Sequence, residues 1–213
     1  MASDSDDRSE DAFLKGAYGL TDVQSAMSFY SEWAEDYDDR MERVLGYVAP
    51  RLMAERFAAA MPEGPRVVLD VGCGTGLTGL YLCERGFDVI DGVDLNPQML
   101  KRSKSRGFYR NLIEADITGP INLPSATYDG IISSGTFTLG HVGSEPIAEL
   151  VRLLKPGGLL GCTVHREIWG PQGFEAQFGQ LEADGVLSVV ARTPGEFFSG
   201  YGDTAYYCLF RKT

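Results

Sequence analysis

From about residue 66 onward, short apolar runs alternate with amphipathic stretches, the rhythm of successive βα units. The pattern predicts strands over 66–71, 88–94, 109–115, 128–134 and 159–165, with helices over 77–85 and 145–154. Gly86 is placed to cap the first of these helices, and Asn96-Pro97 to cap and open another after the second strand. Lys155-Pro156-Gly157-Gly158 reads as the stop signal before the fifth strand. Beyond it, Phe174, Phe178 and Leu181 share one helical face. Two strands, 186–192 and 204–211, separated by a glycine-bearing loop, form an antiparallel hairpin. Ahead of all this, Tyr30, Trp33, Tyr37, Met41 and Val44 recur at helical spacing within 22–60, with Pro50 restarting the helix. The sequence therefore predicts an α/β fold around a mostly parallel sheet.

The 213 residues carry 19 Lys plus Arg against 30 Asp plus Glu, a formal charge of −11. A field of that sign argues against polyanionic partners, so nucleic acid and anionic membrane surfaces are expected to be excluded. Residues 1–21, opening with Asp4, Asp6, Asp7, Glu10 and Asp11, read as an acidic, poorly ordered tail, and 22–213 as a single domain. No apolar stretch is long enough for a membrane helix and the start is not that of a signal peptide, so a cytoplasmic protein is expected. Cys73, Cys83, Cys162 and Cys208 have no metal-ligand spacing and read as small buried hydrophobes.

The chemistry concentrates where Val67-Val68-Leu69-Asp70-Val71 runs into Gly72-Cys73-Gly74-Thr75-Gly76. A turn nearly free of side chains lets a ligand lie against backbone. Gly74-Thr75-Gly76-Leu77-Thr78-Gly79 also satisfies GxGxxG, with Asp94 twenty residues after Gly74, which admits a dinucleotide reading. Against that reading, Asp70 stands just before the turn, where it would oppose a pyrophosphate. With Asp94 and Asp116 it also places three acids at the carboxyl ends of three consecutive strands, around one crevice, suiting a cationic nucleoside.

The run Asp70-Val71-Gly72-Cys73-Gly74-Thr75-Gly76 resembles the first motif of the class I S-adenosylmethionine-dependent methyltransferases. Gly92-Val93-Asp94-Leu95, Ala115-Asp116-Ile117, 128–134 and the turn at 153–158 extend the resemblance from about residue 66 to 165. With the aromatic stretch 29–38 and Ala49-Pro50-Arg51-Leu52, the chain looks most like the methyltransferase-like proteins named for the Williams-Beuren syndrome region. The resemblance implies a Rossmann-like fold: a seven-stranded sheet with a C-terminal antiparallel hairpin, a helical lid over 22–60, a donor-binding core over 66–165, and a helix and hairpin over 166–213. It implies S-adenosyl-L-methionine as cofactor and S-adenosyl-L-homocysteine as product. By position, Gly72 and Gly74 would line the methionine and ribose part, and Asp70 would organise the amino group. Asp94 would accept the ribose hydroxyls and Asp116 the adenine amino group. Leu95, Met99 and Ile117 would sandwich the adenine, with Ala115 and Ser133 completing the site and Tyr30, Trp33 and Tyr37 covering it.

A sulfonium donor is already an activated electrophile, so no metal is called for, and His141 and His165 are far apart in the chain with no acids at ligand spacing. His141, following the fourth strand, is the candidate general base, with His165 the second choice. The fourth strand ends in Ser133-Ser134-Gly135-Thr136 and not in an Asn-Pro-Pro-Tyr element, and there is no separate substrate domain. A small-molecule acceptor is therefore expected. A nicotinamide-dependent oxidoreductase and a non-catalytic methyltransferase-fold partner stay open as alternatives.

Overall fold

A computed structural model of the protein describes residues 38, 41, 45–200, 202 and 204–213. Along the described chain the elements are α1 (Ala49–Ala60), β1 (Val67–Val71), α2 (Leu77–Cys83), β2 (Val89–Asp94), α3 (Pro97–Arg106), β3 (Tyr109–Glu114) and β4 (Tyr128–Phe137). There follow α4 (Ile147–Leu153), β5 (Leu154–His165), α5 (Phe174–Ala183), β6 (Leu187–Gly195) and β7 (Ala205–Lys212). Among the described residues the strands form a seven-stranded sheet in the order β3-β2-β1-β4-β5-β7-β6. The strands β1 to β5 run parallel, while β7 is antiparallel to both β5 and β6. The α/β reading and the C-terminal antiparallel strands are thus present, and β7 enters between β5 and β6 so that β6 forms the edge.

Both faces of the sheet are covered, as period-2 alternation within the strands requires. Leu69, Ile131 and Leu160 join a core with Leu150 of α4 and Phe174 and Phe178 of α5. Their sequence neighbours Val68, Ile132 and Leu159 face the other way, onto Met53 and Phe57 of α1 and Leu82 of α2. Cys73, Cys162 and Cys208 are buried and unlinked. Asn96 caps α3 by accepting from the Gln98 and Met99 amides, with Pro97 in the first turn and Gly107 left-handed at the far end.

Two local expectations change. Lys155-Pro156-Gly157-Gly158 does not interrupt the chain before a separate strand but bulges inside β5, where Tyr128 pairs with Leu154 and Gly130 already with Leu159. Tertiary pairing on both sides of the turn holds it within one strand. β4 likewise runs past residue 134 to Phe137, which pairs with Val164 after a second irregularity.

The chain visits β1, β2 and β3 on one side of the sheet before returning to β4 beside β1. A topological switch point lies there, and the carboxyl ends of β1, β2 and β4 open onto one crevice.

Candidate functional site

The site begins with the way β1 ends. The Val71 carbonyl, where the ladder stops, accepts from Ser133 Oγ at 2.9 Å and Thr136 Oγ1 at 3.2 Å, so β4 fixes the entrance to the glycine loop. Gly72 then turns with φ of +64°, and a methyl group there would lie 2.1 Å from Thr136 Oγ1. At Gly74 φ is +52° and a methyl group would meet nothing nearer than the Gly72 carbonyl at 4.0 Å, leaving that backbone open to a ligand.

Asp94, at the end of β2, braces the loop. Its Oδ2 accepts from the Gly74 amide at 2.8 Å and its Oδ1 from the Asn96 amide at 2.8 Å. Burial pushes this carboxyl above its ordinary value, against the lowering by the amides of Asn96, Gly74 and Leu95. Ser103 Oγ donates to the Gly74 carbonyl at 2.5 Å, and Arg106 Nε to the Thr75 carbonyl at 2.6 Å, so α3 holds the loop from its other side. Arg106 and the Thr75 hydroxyl both also donate to Asp38.

These groups border a cavity of about 530 Å³, a size suited to a nucleoside-containing ligand. It is lined by Gly72, Gly74, Asp94, Leu95 and Met99, then by Ala115, Asp116, Ile117 and His141. Asp116 is exposed, and its Oδ1 accepts from the Thr118 amide and hydroxyl at 2.9 and 2.7 Å. Asp70 and Ser133 are not among the lining residues; both are fully buried behind it. Tyr30, Trp33 and Tyr37 lie outside the described residues.

Asp70 is the most perturbed acid near the loop. Its Oδ2 accepts from Tyr109 Oη at 2.6 Å while Oδ1 is buried without a hydrogen-bond partner. Burial is the main cause that lifts its carboxyl to about 7; the Tyr109 hydroxyl lowers it, the Asp94 charge adds to the rise and the Gly79 amide opposes it.

The two histidines differ in place. His141 Nδ1 meets the Leu139 carbonyl at 2.8 Å. A carbonyl only accepts, so Nδ1 carries the proton and Nε2 the basic lone pair in the neutral ring. Burial lowers its pKa from the ordinary value, and the bond to Leu139 works against that. His165 is buried against Phe197 and does not line the cavity.

A glycine turn at the switch point is braced by an acid from β2, with a second acid beyond β3. Residues 69–162 match the methyltransferase domain family Methyltransf_11. Methyltransferase-like protein 27 of Homo sapiens is 34% identical over 189 residues, which cover 86% of this chain and 76% of that protein. The chain belongs to the class I S-adenosylmethionine-dependent methyltransferases. A SAM-dependent methyltransferase from Aquifex aeolicus shares the fold at a TM-score of 0.62 and 20% identity, covering 86% of this chain and 98% of that one. S-adenosylmethionine is accordingly the cofactor of this methyltransferase.

The comparisons also correct one expectation, that the acceptor is a small molecule and nucleic acid is excluded. A tRNA (carboxymethyluridine(34)-5-O)-methyltransferase of Arabidopsis thaliana is 27% identical over 177 residues, 76% of this chain and 40% of that protein. An 18S rRNA (guanine-N(7))-methyltransferase of Mus musculus is 36% identical over 74 residues, 34% of this chain and 26% of that protein. The complex between the Haloferax volcanii Trm112 methyltransferase activator and a methyltransferase contains a chain matching at a TM-score of 0.63 and 18% identity, covering 86% of this methyltransferase and 97% of that chain. With rRNA- and tRNA-modifying enzymes among the relatives, a net charge of −11 does not decide the acceptor class. α3, beside the loop, carries Lys101, Arg102, Lys104 and Arg106 and no acid. Among the described residues, no helix is long and apolar enough to cross a membrane.

The sequence reading missed Thr136, Arg106, Asp38 and Tyr109, each of which reaches the loop or its acid from a distant stretch of chain. For Tyr109 a signal existed: Gly79 lies within a helix and Gly92 within a strand, where glycine costs stability unless another group must come close.

Proposed function

We propose that this methyltransferase passes the methyl group in line to a nucleophile entering the cavity beside His141, which acts as general base, and that no metal takes part. The observation that carries this reading is that one cavity is lined both by the glycine loop with Asp94 and Asp116 and by His141. The residues fit the cofactor: the loop backbone is open at Gly74, and Asp94 presents a carboxylate at the cavity wall. When bound, S-adenosylmethionine supplies a methyl group on a sulfonium, an electrophile that needs no further activation.

In this reading Asp94 holds the ribose hydroxyls, Asp116 accepts from the adenine amino group, and Leu95, Met99 and Ile117 contact the ring. Asp70, behind the loop, adds negative charge that favours a cation. The acceptor loses a proton as it gains the methyl, and Nε2 of His141, kept neutral by burial and oriented through Leu139, takes that proton. The test is incubation of the protein with methyl-labelled S-adenosylmethionine and a cell extract separated into metabolite, protein and RNA fractions. Label enters one fraction, and His141→Asn lowers its rate about 10²-fold or more while the donor Kd stays within about twofold. A full rate in the variant overturns the base assignment, and no label in any fraction despite tight donor binding overturns the catalytic reading.

A further inference from the structure

Tyr109 opens β3, yet its side chain reaches under the glycine loop to an acid 39 residues earlier in the chain. The route is shaped by three absent side chains. A methyl group at Gly79 would lie 2.4 Å from the Tyr109 hydroxyl oxygen, one at Gly92 would lie 3.1 Å from Cε1, and one at Gly76 would lie 3.1 Å from Cε2. Gly76 belongs to the turn, but Gly79 sits in α2 and Gly92 in the middle of β2, and neither has a left-handed backbone. Gly79 stays small where the phenol passes between the helix and the sheet, while a methyl group at Gly92 would press still closer on Leu112 Cδ2 at 2.8 Å and Cys73 Sγ at 2.9 Å. At the end of that slot the hydroxyl donates to Asp70 Oδ2 at 2.6 Å, while Oδ1 is buried with no hydrogen-bond partner.

We propose that Tyr109 is a positioning residue of the donor site: through the slot left by Gly76, Gly79 and Gly92 its hydroxyl holds Asp70 beneath the glycine loop as a carboxylate, and so sustains affinity for a cationic nucleoside. This rests on the reading that the cavity binds S-adenosylmethionine. The only hydrogen-bond donor that reaches either oxygen of Asp70 from a side chain among the described residues is this phenol. A hydrogen bond to the charged form favours it over the neutral acid. The ionisable groups facing Asp70 are Tyr109 from β3, Asp94 from β2 and Cys73 from the loop, with Arg106 of α3 acting on Tyr109. Burial holds the Cys73 thiol and the Tyr109 phenol well above their ordinary ranges, so neither ionises near neutrality. Burial brings Asp70 itself to about 7, where loss of one hydrogen bond changes its charge at working pH.

The experiment measures the calorimetric Kd for S-adenosylmethionine from about pH 5.5 to 9, with the full chain, in the parent protein, Tyr109→Phe and Asp70→Asn. In the parent, affinity falls in acid with a midpoint near 7. In Tyr109→Phe, which keeps the ring and its packing, the midpoint moves up by about one pH unit, the size of one hydrogen bond to a charged group. Asp70→Asn loses this step, and any pH dependence it keeps belongs to Asp94, His141 or the α-amino group of the ligand itself. A purely structural Tyr109 would weaken binding by the same factor at every pH, and a midpoint unmoved from the parent overturns the proposal. A carbon-13 titration of the Asp70 carboxyl in the ligand-free proteins reads the same shift without any donor. If the parent binds no S-adenosylmethionine, the donor reading falls, and the carboxyl titration still decides whether Tyr109 sets the charge of Asp70.

Discussion

Asp70 is a site where stability and binding pull in opposite directions, and Asp70→Asn separates them. The side chain is fully buried, and burial lifts its carboxyl from 3.8 to about 7 on folding. An acid whose folded-state pKa is raised binds more protons in the native than in the unfolded state between those two values. Its contribution to stability therefore falls as pH rises from about 4 to about 7. A rise of roughly three pH units corresponds to about 4 kcal/mol, of which about 2 to 3 kcal/mol accrues between pH 5 and pH 8. Asparagine keeps the shape and can still accept from the Tyr109 hydroxyl, but it never carries the charge. Urea unfolding of the ligand-free protein should show the variant gaining about 2 to 3 kcal/mol over the parent on going from pH 5 to pH 8, roughly 5 to 10 °C in Tm. The same substitution should weaken S-adenosylmethionine binding at pH 8, as expected where an unfavourable group is kept for function. A stability gap identical at the two pH values would refute the reasoning, because it would mean the carboxyl ionises alike in both states.

Two further substitutions probe the cavity directly. Asp94→Ala removes the acceptor of the Gly74 and Asn96 amides together with the carboxylate assigned to the ribose. S-adenosylhomocysteine binding should weaken by about 2 to 4 kcal/mol, and a Kd within about threefold of the parent by calorimetry would sink the ribose assignment. Ser134 lines the cavity with its hydroxyl buried and lacking a hydrogen-bond partner. Ser134→Ala should therefore raise ligand-free stability by about 1 kcal/mol in urea unfolding, and a comparable loss instead would show that the hydroxyl is satisfied in solution.

What could be read from the chain was what local signals encode. Asn96-Pro97 caps and opens α3 through contacts two and three residues away, and the β1-glycine-α2 turn announces itself by the spacing of its glycines. These were legible, as was the convergence of Asp94 and Asp116, because parallel strands align their carboxyl ends. Lys155-Pro156-Gly157-Gly158 misled, since its turn chemistry is real but neighbouring strands keep it within β5. Thr136 was not legible, because its role depends on an approach to Val71 across 65 residues, and Tyr109, 39 residues from Asp70, left only the indirect mark of glycines inside α2 and β2. Net charge did not decide the acceptor class, since relatives that act on rRNA and tRNA match the same chain.

The placement of β7 between β5 and β6 also dictates an order of events during synthesis. β6 leaves the ribosome ahead of the strand it must pair with, and β5 meanwhile offers an open edge on that side. Until residues 205–212 emerge, both strands present unpaired backbone and apolar side chains to the cell. A released chain truncated within the loop before β7 should thus be the species most prone to chaperone capture or to edge-to-edge association.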